Sequence, residues 1–230
     1  MTIRRTCTAA VATLALLGLA ACGSDDEPQA ESSSSASASS SPSAEATEES
    51  TSTEGAPAWA KPVTTPGTKI GTVKAGDVTV DVYQVGTTKA TKTGNFVDPK
   101  DNKPIIAVGD EIVFVNYVVT NTGDPVDLGS SLVDVSARYV DWPYVQGMDG
   151  ITDNDLYEAQ DVQTSGVAPG AFADPSVYTL GKGETFSYGE NFRYEKGTKL
   201  DVKVTYTPVD AEGELLHDDR VEGEGSVTIS

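Results

Sequence analysis

Asp110-Glu111-Ile112-Val113-Phe114-Val115-Asn116-Tyr117-Val118-Val119-Thr120-Asn121 is apolar on both parities. A strand turns successive side chains to opposite faces, so this run predicts a central strand covered on both sides. Outward from it, Val78, Val80 and Val82 alternate with Thr79, Asp81 and Tyr83, and Leu200, Val202, Val204 and Tyr206 alternate with Asp201, Lys203 and Thr205. That two-residue period belongs to strands with one wet face. Further strands are expected at 69–73, 131–140, 185–194 and 225–229, separated by turn signals such as Asn121-Thr122-Gly123-Asp124-Pro125, Gly181-Lys182-Gly183 and Ala211-Glu212-Gly213. Only 149–161 reads as helical, and it is short. Seven or more strands with almost no helix predict an all-β fold, an antiparallel two-sheet sandwich over residues 59–230, with a barrel as the nearest alternative. No repeat at fixed spacing points to a propeller or solenoid.

The other end of the chain reads differently. Arg4 and Arg5 precede an apolar run over 9–19, which is too short to span roughly 30 Å of hydrocarbon and so predicts a signal peptide over residues 1–21. Leu19-Ala20-Ala21-Cys22-Gly23 resembles the bacterial lipobox: a branched apolar residue, two small residues and the cysteine whose thiol receives a diacylglycerol. Cys22 is thus the expected lipidation site, and palmitate-type chains at about 0.8 kcal/mol per buried methylene would hold the protein on the extracytoplasmic face of the cell membrane without crossing it. Cys7 would leave with the signal peptide. The mature domain would then hold no cysteine, and therefore neither a disulfide nor a thiolate metal site.

Between Cys22 and Ala58 the composition shifts to Ser, Ala, Thr, Glu and Pro, with no aromatic and no β-branched aliphatic residue. Such a segment cannot bury enough apolar surface to offset the entropy of ordering it, so 22–58 is expected to be a lipidated cysteine followed by a disordered tether. Its eight acids have no basic partner, and it would average about 30–36 Å end to end. Without Arg4 and Arg5 the chain has 14 basic residues against 35 acidic, and residues 59–230 have 14 against 27. Nucleic acid, which needs clustered Lys and Arg, is not an expected partner.

Two stretches carry a family resemblance. Val108-Gly109-Asp110-Glu111, running through the long strand to Asn121-Thr122-Gly123-Asp124-Pro125-Val126-Asp127-Leu128, is one. Leu180-Gly181-Lys182-Gly183-Glu184 with Asn191-Phe192-Arg193-Tyr194 and Leu200-Asp201-Val202-Lys203-Val204 is the other. Together they resemble a domain of unknown function found in bacterial lipoproteins, similar to the secreted mycobacterial immunoprotective antigens. The resemblance covers roughly residues 70 to 210; it implies an immunoglobulin-like β-sandwich and a surface location and supplies no catalytic residues. Residues 141–178 depart from a compact version of that fold and read as an insertion or enlarged loop.

The inventory for chemistry is thin. His217 is the sole histidine, beside Asp218 and Asp219 in an expected exposed connection, and no Gly-x-Ser-x-Gly elbow occurs. One His, one Met in the domain and no free Cys leave zinc or copper without ligands. Calcium needs six to eight oxygens, which Asp149, Asp153, Asp155, Glu158 and Asp161 could in part supply, although their spacing misses the EF-hand pattern. Tyr139, Trp142 and Tyr144 gather three aromatics beside Pro143, either to stack on sugars or anchor a protein, or to plug the sandwich end. Trp59 is expected to dock where the domain begins. The sequence therefore predicts a non-enzymatic, cofactor-free interaction module, presented to a protein or glycan of the cell envelope; the alternative is a calcium- or glycan-binding sandwich using 139–161.

Overall fold

A computed structural model describes residues 55–230. The expected signal peptide, Cys22 and all of the expected tether except 55–58 lie outside the described residues. The chain runs β1 (Thr68–Ala75), β2 (Val78–Lys89), β3 (Glu111–Asn121), β4 (Val126–Leu128), β5 (Asp134–Tyr139), α1 (Asn154–Ala159), β6 (Tyr178–Leu180), β7 (Thr185–Arg193), β8 (Lys199–Tyr206) and β9 (Val221–Thr228), with a 3₁₀ turn at His217–Asp219. Every ladder is antiparallel. One sheet is ordered β1-β2-β3-β7, a second β5-β8-β9, and a short pair joins β4 to β6. No helix among the described residues is long and apolar enough to cross a membrane.

The two larger sheets enclose one core. Val113, Val115, Tyr117 and Val119 of β3 point inward, meeting Val80 and Val82 of β2, Phe186 and Phe192 of β7, and Val202 and Val204 of β8. The alternate residues of β3 are buried as well, as the two-parity run predicts. Ile112 and Phe114 pack outward against Ile106, Ile151 and Val162, and Tyr157 of α1 meets Phe114 edge-on at 5.0 Å. Residues 141–178 are therefore no free loop: part of the segment roofs the outer face of the first sheet, and its far end leads into β6. A Phe or Ile side chain moved from water to such a site gains about 1.5–3 kcal/mol, enough to hold a segment with little regular structure of its own.

The sheets close on one side through glycine. Gly223 of β9 lies so near β1 that a Cβ there would fall 1.9 Å from the Lys74 carbonyl oxygen, and one on Gly225 would meet Val73 at 2.8 Å. On the other side β5 and β7 are bridged by side chains: the Tyr188 hydroxyl donates to the Val133 carbonyl and accepts from the Val135 N–H, each at 2.9 Å, and the Tyr139 hydroxyl donates to the Arg193 carbonyl at 2.9 Å.

Residues 55–66 run as a strap along the β7 edge. The Thr185 N–H donates to the Gly55 carbonyl (2.7 Å), Ala60 forms a bridge with Val167, and the Thr64 N–H donates to Ser187 Oγ (2.9 Å). Trp59 docks as expected: its ring meets Tyr178 and Phe186 at 5.5 and 5.3 Å, and its Nε1 donates to the Thr179 carbonyl at 2.8 Å. Residues 55–58, assigned above to the tether, thus already belong to the folded part. Composition did not reveal this because Gly55 and Pro57 are held through their backbone carbonyls.

Candidate binding surface

The aromatic trio does not form an open platform. Tyr139 is 1% exposed and packs edge-on against Phe192; Trp142 is 8% exposed and donates from Nε1 to the Gln146 carbonyl. Trp142 meets Tyr144 edge-on at 5.1 Å, and the Tyr144 hydroxyl donates to Asp98 Oδ2 at 2.9 Å. That bond holds the Asp98 carboxyl below its usual range together with the Lys100 backbone N–H, which is the larger influence. In this arrangement Tyr139 and Trp142 serve the core, because apolar area of that size gains more from packing than from water.

The five acids of the expected calcium segment are also separated by task. Asp149 is 1% exposed; its Oδ1 accepts from the Asn95 and Phe96 N–H groups, tying the 93–106 hairpin to the roof, and burial raises its pKa. Asp153 caps α1, accepting from the Asp155 N–H at 3.2 Å, and also accepts from the Thr91 hydroxyl, which holds its carboxyl low. Asp155 and Glu158 are exposed on α1, and Asp161 stands just after it in the left-handed region at φ 52°. Among the described residues no three His, Cys, Asp or Glu side chains converge as a metal ion requires. Acids that are adjacent in sequence here cap and clamp different backbones, which keeps their oxygens apart.

His217 sits in the exposed 3₁₀ turn, on the rim of a different surface. The outward residues of the second sheet form a polar grid in which Asp134 pairs with Thr205, Ser136 with Lys203 and Arg138 with Asp201, continuing to Glu222, Glu224 and Ser226 of β9. The 207–220 loop overhangs it, making a cavity of about 620 Å³ bordered by Ser131, Ser136, Lys203, Leu215, His217 and Arg220. A second cavity of about 550 Å³ shares Ser136 and Lys203 and extends to Arg138 and Glu224. A third, of about 260 Å³, shares Ser130, Ser131 and Asp134 and ends at Phe172. The three adjoin through these shared residues as a groove that crosses the face and turns its end, and the two larger ones fall in the size range of ligand sites.

Two of the groove's three cations are already paired with an acid, and the third, Arg138, donates to the Tyr144 carbonyl. Lys203 Nζ lies 2.9 Å from Glu222 Oε2 and Arg220 lies 2.8 Å from Glu222 Oε1, and these two bonds, Lys203's first, hold the Glu222 carboxyl below its usual range. Of this grid only the wet parity of β8 was legible; Glu222 and Glu224 lie ahead of the strand expected at 225–229, because β9 begins at Val221. The groove was not legible, because its walls come from loops more than 30 residues apart in sequence.

Sequence reasoning also passed over Glu190. On β7 it shares the inward parity with Phe186, Tyr188 and Phe192, and the Tyr117 hydroxyl donates to its Oε1 at 2.5 Å. Burial is the main cause that pushes this carboxyl up to about 7, against the Tyr117 bond that lowers it.

Compared with known proteins, the chain matches no family model and no curated protein. Among solved structures it is similar to YcdA of Bacillus subtilis subsp. subtilis str. 168, provisionally described as a lipoprotein, at 18% identity and a TM-score of 0.35. The likeness covers 67% of this chain and 38% of that one, so the chain spans well under half of that protein. A likeness this distant bears on neither fold nor role.

Proposed function

We propose that this chain is a lipid-anchored, extracytoplasmic interaction module without catalytic activity. The observation that carries the reading is Leu19-Ala20-Ala21-Cys22, placed after a short apolar run and before a segment that cannot bury a core. The non-catalytic part rests on the inventory: one histidine, exposed beside a groove, and no thiol in the domain. The immunoglobulin-like part gains support from strand order. β2-β3-β7 against β5-β8-β9 corresponds to the A-B-E and C-F-G orders of that sandwich, with β1 as an extra edge strand.

Metabolic labelling with an alkyne palmitate tests the anchor. The full chain is expected to take up label and partition with membranes, and Cys22→Ala is expected to be unlabelled and soluble. Label retained in Cys22→Ala would remove the premise.

A further inference from the structure

The groove over β5, β8 and β9 carries enough chemistry to name a class of occupant. We propose that it binds an uncharged glycan chain, an inference that rests on the interaction-module reading and deepens it.

Three features select this class. The groove lies on a sheet face, so it offers side chains, while the backbone N–H and C=O groups lie in the plane of the ladders. An extended peptide gains its affinity from a free strand edge, and at the head of β5, the edge strand that borders the groove, the Val133 carbonyl and the Val135 N–H are already taken by the Tyr188 hydroxyl. Charge is balanced along the groove, with Arg138, Lys203 and Arg220 against Asp134, Asp201 and Glu224, in a domain where acids outnumber bases 27 to 14. A polyanion finds no surplus of cations there, since phosphate or sulfate chains need clustered, unneutralised Lys and Arg.

What remains favours hydroxyls and sugar faces. Ser130, Ser131, Ser136, Ser176, Thr205 and Thr207 present hydroxyls that both donate and accept, matching a ligand whose edges do the same. Phe172, 76% exposed, and Leu215, 50% exposed, border the groove as apolar surfaces against which the C–H face of a pyranose can lie. The groove stays open along its length, so a chain can pass through it and need not be swallowed whole.

The test is titration calorimetry of the full chain in detergent micelles with three neutral hexasaccharides, of β-1,4-glucose, α-1,4-glucose and β-1,4-N-acetylglucosamine, and a serine-rich hexapeptide for comparison. At least one hexasaccharide is expected to bind with Kd below about 1 mM, the range of about 4 kcal/mol or more. Phe172→Ala is expected to weaken it tenfold or more with an unchanged melt, and Val108→Ser, 63% exposed in the turn that leads into β3 of the other sheet, to leave it unaltered. Binding of the hexapeptide alone, of no hexasaccharide, or of a hexasaccharide whose affinity ignores Phe172→Ala overturns the proposal. Each of those results leaves the palmitate experiment untouched, so the anchored-module reading stands or falls separately.

Discussion

A carboxyl that faces the interior of a sandwich ionises only by giving up water it cannot fully replace. Glu190 is half-buried on the inward parity of β7, with the Tyr117 hydroxyl as its bond donor. Its pKa of about 7 lies above the ordinary 4.5. Folding therefore favours the protonated form. That contribution is fully present below about pH 4.5 and is lost as pH rises through 7. Glu190→Gln keeps an acceptor for Tyr117 and cannot ionise. It is expected to stabilise the protein at pH 8 by about 1–3 kcal/mol and to change little at pH 4.5. Thermal melts at the two pH values check it, and a gain equal at both would mean that ionisation is not the cause. The same residue scale explains Trp142: three aromatics beside a proline fit a docking loop and a core plug equally well until the opposing surface is known.

At the scale of elements, β1 and β9 meet without room for a side chain at one point. Gly223 admits the Lys74 carbonyl where any side chain would collide with backbone. Gly223→Ala is expected to cost about 1–3 kcal/mol or more, as overpacked sites do, with the fold retained by circular dichroism. A neutral effect in chemical denaturation would mean that β9 can drift from β1 freely. The strands most legible in the sequence were those whose period is local: β3 from its two apolar parities, β2 and β8 from strict alternation. β4 and β6, three residues each and some 50 apart, left no period to detect. The roof over Ile112 and Phe114 was half legible: the buried outer parity of β3 demanded a cover, but nothing in 141–178 said that this segment supplies it. The candidate groove was hidden for the same reason, since alternation reports which face is wet and says nothing of what overhangs it.

The molecule as a whole carries its charge unevenly. Asp210, Glu212, Glu214, Asp218 and Asp219 crowd the 207–220 loop, and the domain holds 27 acids against 14 bases. Self-repulsion of this kind is screened as the Debye length falls from about 30 Å at 0.01 M to about 10 Å at 0.1 M salt. The melting temperature is accordingly expected to rise by roughly a few degrees over that range; a fall would mean that the surface ion pairs outweigh the repulsion. The strap has a mechanical meaning. Tension arriving through the residue ahead of Gly55 is delivered first to the Gly55–Thr185 bond and then to the Trp59 ring wedged by Tyr178 and Phe186. Trp59 therefore stands as a shear pin between any pull on that end of the chain and the hydrogen-bonded ladder between β3 and β7.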